Sequence, residues 1–169
     1  MLILRILSKN TLLPPVLLFA SVLSTTCGRY KEVKENLKFA FPDYVKCDVV
    51  KVVDGDTFHC QLSDRQMEKV RLTGIEVPDS IENEATDFTK SYLRRGTPVK
   101  LEFDRETRDK FGLILAYVYL PGDRMLNAIL LQEGYAKVIA DTPNLKFKDL
   151  FLKLEDEART QGKGLWEKE

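Results

Sequence analysis

Val49-Val50-Lys51-Val52-Val53-Asp54-Gly55-Asp56-Thr57-Phe58-His59-Cys60 is two β-rich runs meeting at an Asp-Gly turn. Branched and aromatic side chains suit a pleated, half-buried surface, and Asp-Gly tolerates the positive φ of tight hairpins, so the stretch predicts a hairpin. Working outward, the strands extend from Val45 to Val53 and from Thr57 to Leu62. Ser63 to Gln66 makes a second polar turn, and Met67 to Leu72 returns as a third strand, completing a meander. Ala85, Phe88, Tyr92 and Leu93 recur at helical spacing within Glu84 to Leu93, and Gly96 and Pro98 end that helix. Strands follow at Val99 to Phe103 and Ile114 to Tyr119, the latter closed by Pro121-Gly122. Met125 to Gln132 is a short apolar helix stopped by Gly134. Phe147, Leu150, Phe151, Leu154 and Ala158 mark one face of a last helix from about Leu145 to Gln161. Five strands with helices inserted after the third and fifth predict an α+β, mainly β fold: a five-stranded OB-type Greek-key barrel with about three helices.

The chain has 169 residues, 44% of them hydrophobic, which suffices for one compact core and excludes a disordered chain. Residues 1–27 stand apart from that core. Arg5 and Lys9 form a basic lead, Leu12 to Leu23 is an apolar run broken by Pro14-Pro15, and small residues precede Cys27. This is the pattern of a secretory signal, and the apolar run is short for a membrane-spanning helix, so export is expected. Cys27 occupies the place of an acylated lipoprotein cysteine. Lipidation there and ordinary cleavage nearby both remain open, and a lipid would tether the chain without making it span the bilayer. Residues 28–42 read as a linker and residues 43–169 as the folded domain, expected to be a monomer. Cys47 and Cys60 flank the Asp-Gly turn. They are either a cross-strand disulfide, as an oxidising compartment permits, or two small buried thiols.

Lys and Arg balance Asp and Glu at 26 each, and removing Arg5 and Lys9 with the signal leaves a net charge of −2. This argues against a tight, non-specific nucleic-acid binder, which would carry a basic surface. Lys51, Lys69, Arg94, Arg95, Lys100, Arg105, Arg108 and Lys110 are available for a local basic patch.

Chemistry concentrates in Asp54-Gly55-Asp56 and in Arg71-Leu72-Thr73-Gly74-Ile75-Glu76-Val77-Pro78-Asp79. Pro78 holds Val77 extended, so Glu76 and Asp79 project from a stiff loop at a strand end. Carboxylates with a backbone carbonyl make a hard-oxygen site of the kind calcium prefers, and Arg71 offers a planar fork that matches two phosphate oxygens. His59, at the parity of Thr57 and Gln61, belongs to the solvated face. Core packing is the simpler use of Trp166, Tyr117 and Tyr119.

From about Val45 to Trp166 the chain resembles the staphylococcal nuclease (thermonuclease) family. The pieces that carry the resemblance are Val53 to Thr57, Arg71 to Asp79, Glu84-Ala85, Asp109-Lys110-Phe111-Gly112 with Leu115 to Tyr119, Asn127 with Leu131 to Ala136, and Gly164-Leu165-Trp166. The resemblance implies an OB barrel and calcium-dependent hydrolysis of DNA or RNA. It implies calcium held by Asp56, Glu76 and the carbonyl of Val77, with Arg71 on the phosphate. Asp79 stands where the family has a glutamate acting as general base or water-orienting group. Arg71, Arg108 and Lys110 are the expected substrate-binding cations.

Three departures accompany the resemblance. Glu76 replaces an aspartate and Asp79 a glutamate, each shifting a carboxylate by about one methylene, and a misplacement of about 1 Å can cost roughly 100-fold in rate. Leu113 replaces a second catalytic arginine, a kind of loss worth ~100- to 1,000-fold. A second reading therefore stands beside the enzyme: an inactive OB module that binds nucleic acid or an envelope partner.

Overall fold

The computed structural model describes residues 44–139 and 141–167; the expected signal segment with Cys27 and the expected linker at 28–42 lie outside them. β1 (Val45–Asp54), β2 (Thr57–Leu62) and β3 (Met67–Leu72) form the expected antiparallel meander. Two further strands, β5 (Pro98–Glu102) and β6 (Ile114–Tyr119), close it into a barrel of order β1-β2-β3-β6-β5. Only the β3–β6 contact is parallel. β1 serves two neighbours, pairing with β2 and, through Val45 to Asp48, with β5. Register shifts at Val49/Lys51 and Val52/Asp54 give it the bend that closure requires.

The sequence pattern misses a second, two-stranded sheet in which β4 (Ile75–Glu76) pairs with β7 (Lys137–Val138), each too short to show a period. Three helices complete the fold: α1 (Glu82–Tyr92), α2 (Leu126–Gln132) and α3 (Lys148–Thr160). None of the described helices is long and apolar enough to cross a membrane.

Inward-facing Phe58, Val70, Leu72, Leu101 and Ala116 fill the barrel, Tyr117 on the opposite face of β6 packs edge-on against Phe147 and Phe151, and Leu126, Leu130 and Phe151 cover the barrel from α2 and α3. Trp166 is buried, in keeping with core packing. Buried Asn127 ties the layers together. Its Oδ1 accepts the Val118 N–H (2.9 Å) and its Nδ2 donates to the Thr73 carbonyl (2.9 Å), fixing the chain just beyond Arg71 against β6. Asn144 likewise donates to the Thr73 hydroxyl (3.0 Å) and the Glu106 carbonyl (2.8 Å), anchoring the β5–β6 loop. Cys47 and Cys60 are joined by a disulfide with Cα atoms 5.8 Å apart, stapling β1 to β2 inside the core.

Candidate active site

The Asp-Gly turn between β1 and β2 is docked onto α1. The Gly55 N–H donates to Glu82 Oε1 (2.8 Å), and its carbonyl accepts the buried Thr89 hydroxyl (2.7 Å). A Cβ at position 55 would stand 2.8 Å from the Ala85 Cβ and 3.0 Å from a Val77 methyl. Glycine is thus required here for close approach. Its φ is not positive, which corrects the expectation of a left-handed hairpin turn. With both polar groups of Gly55 bound, Asp54 and Asp56 leave the turn in fixed directions.

Asp56 is buried. Its carbonyl accepts the Leu72 N–H (2.9 Å), Oδ1 accepts the Thr57 hydroxyl (2.6 Å), and Oδ2 lies 3.6 Å from the Arg71 guanidinium. Burial pushes its carboxyl up to about 6, against the lowering effects of the Thr57 hydrogen bond and the Arg71 charge; the neighbouring Asp54 adds to the rise. Asp54 Oδ1 is itself buried without a hydrogen-bond partner.

These groups open onto a cleft of about 480 Å³ on the outer face of the barrel. Five carboxylates line it (Asp54, Asp56, Asp79, Glu82 and Asp109) against two cations, Lys69 and Arg71, with Val77, Phe111 and Leu113 as apolar wall. Such a cleft repels a polyanion unless a further positive charge enters. An orphaned buried carboxylate oxygen beside a carboxyl that is costly to ionise fits a hard divalent cation bound at Asp54 and Asp56. Among the described residues no three acidic or His/Cys side chains form a ready-made metal centre, so the fit is to an open site in which water supplies most ligands.

The cleft gathers Asp56, Arg71, Val77, Asp79 and Leu113 from among the residues singled out by sequence. It leaves out Glu76. In β4, Ile75 enters the core and Glu76 points the other way, exposed, opposite Lys137. Arg108, expected at the substrate, is instead held by Glu68 through two hydrogen bonds (2.7 and 3.0 Å) and donates to the Gly112 carbonyl (2.7 Å). Lys110 is not part of the cleft lining, and its ammonium lies 5.0 Å from the centre of the Phe111 ring. His59 faces outward opposite Lys69. Sequence reasoning passed over Glu82, gave Phe111 no role of its own, and named Lys69 only among the residues available for a basic patch. Phe111 is 74% exposed on the cleft wall, an aromatic ring of the kind on which a base stacks. Asp109 accepts the N–H groups of Phe111 and Leu113 (both 2.9 Å), which shapes the loop that presents that wall.

Residues 69–168 match the family model described as staphylococcal nuclease homologue. The chain is 38% identical to a thermonuclease of Staphylococcus intermedius over 129 residues, covering 71% of this chain and 75% of that protein. It is 32% identical to a thermonuclease of Staphylococcus hyicus (70% and 73% covered) and 31% identical to the endonuclease YncB of Bacillus subtilis (70% and 60%). With its five-stranded barrel and three helices, the chain belongs to the staphylococcal nuclease family.

Proposed function

We propose that this chain is a calcium-dependent nuclease that hydrolyses phosphodiester bonds of DNA or RNA. The observation that carries the reading is the cleft itself, where Arg71 and Asp79 join half-buried Asp54 and buried Asp56 in lining a space of nucleotide size whose acids outnumber its cations. Asp54, Asp56 and the backbone of Val77 would hold the calcium, which when bound supplies neutralisation of phosphate charge. Arg71, half exposed, exchanges its long contact with Asp56 for two phosphate oxygens. Asp79 orients a water and takes its proton as the water oxygen bonds to phosphorus. The ester bond opposite then breaks, and the departing sugar oxygen takes a proton from solvent. Phe111 stacks on a base.

Three further features belong to this reading. Residues 1–27 direct export, with Cys27 either acylated or lost on cleavage. The Cys47–Cys60 disulfide supports an oxidising compartment. The protein acts as a monomer.

Leu113 favours the competing reading of an inactive binding module. Calorimetric titration with calcium, run beside cleavage assays on DNA and RNA, separates the two. The enzyme binds calcium and cuts in its presence, whereas the binding module does neither.

A further inference from the structure

We propose that Lys69 is the second phosphate-binding cation of this site, replacing from the neighbouring strand the arginine missing at position 113. In β3, Val70 and Leu72 are buried in the barrel, so Lys69 and Arg71 share its outer face two residues apart. Across β2 their partners are His59 and Thr57. The parallel pairing with β6 runs from Val70↔Ile114 to Leu72↔Ala116, so Lys69 and Leu113 are the residues that immediately precede its first pair on the two chains. Both line the cleft.

Other candidates are committed elsewhere: Arg108 to Glu68 and Gly112, Lys110 outside the lining, Arg105 likewise. Lys69, half buried, enters no ion pair among the described residues, and Arg71 is the only other cation among those that line the cleft. An ammonium is a compact charge with three donors on a flexible stem, able to follow a phosphate oxygen as negative charge builds on it. The Leu113 side chain removes water from one flank of that charge, which strengthens the attraction. A positive charge has thus moved one strand across while the site keeps two cations.

The proposal rests on the nuclease reading, and its test is steady-state cleavage of labelled single-stranded DNA and RNA oligonucleotides in calcium. Lys69→Met, which keeps the stem and its packing, is expected to lower kcat about 100-fold with little change in KM. Lys69→Arg retains activity within about tenfold. Leu113→Arg restores Lys69→Met by at least about tenfold, more than it adds to the unmodified protein. Lys153→Met, on the exposed face of α3, leaves the rate unchanged. Thermal melts of Lys69→Met that match the unmodified protein exclude a folding defect. If Lys69→Met cleaves within about twofold of the unmodified protein, or raises KM alone, Lys69 is not the second cation. The nuclease reading then still stands, as long as Arg71→Met is defective. If the unmodified protein does not cleave, the nuclease reading falls, and the role of Lys69 with it.

Discussion

Replacing Asp56 by asparagine should make the metal-free protein more stable at neutral pH while abolishing its activity. A carboxyl that titrates near 6 in the fold and at 3.8 when unfolded weighs on the folded state by about 3 kcal/mol once ionised. The folded state holds the proton more tightly, so stability is highest below the unfolded value and falls as pH rises through about 6. Asparagine keeps the volume and cannot ionise, and its amide oxygen can still accept the Thr57 hydroxyl. The 3.6 Å attraction to half-exposed Arg71 is already contained in that figure, because it lowers the folded-state value. The net gain is about 2–3 kcal/mol, a rise in Tm of about 6–12 °C for a domain of this size. Thermal melts in EDTA check this: the variant should exceed the unmodified protein at about pH 7.5, and the gap should close by about 2 kcal/mol at about pH 4.5. Adding calcium should raise the Tm of the unmodified protein and leave the variant unmoved. A variant less stable at neutral pH, or a gap that ignores pH, refutes the account of Asp56.

Gly55→Ala forces a Cβ to within 2.8 Å of Ala85 and 3.0 Å of Val77, so it should cost about 1–3 kcal/mol in a denaturant titration and reduce cleavage by displacing Val77. Thr89→Val leaves the Gly55 carbonyl without its 2.7 Å donor and should cost about 1–3 kcal/mol in the same assay. Reducing the Cys47–Cys60 bond, which spans a sequence separation of 13, should lower stability by about 3 kcal/mol; melts with and without reductant measure it.

The barrel was legible in the sequence because its meander, its later strands and its three helices each run long enough to show a period. β4 and β7 were not legible, since two residues carry none. Gly55 was read as a glycine for the right turn and the wrong cause, because what excludes a side chain there is α1, which follows 27 residues later. Asp56, Arg71, Val77 and Asp79 converge as their motifs imply. Glu76, exposed in β4 opposite Lys137, is not among the residues that line the cleft, and its pairing with β7 cannot be read from two residues. Arg108 was expected among the substrate-binding cations, and Glu68 of β3 claims it, a contact 40 residues apart in sequence that no local pattern shows. Lys69 was visible only as one basic residue among eight, since its place beside Leu113 depends on the register between β3 and β6.

Single-turnover cleavage of matched DNA and RNA oligonucleotides by the purified protein, in millimolar calcium and again in EDTA, is the most direct test of the central claim. We predict cleavage that requires calcium and falls at least about 100-fold in Arg71→Met. No cleavage of either substrate, or cleavage indifferent to Arg71, would contradict it.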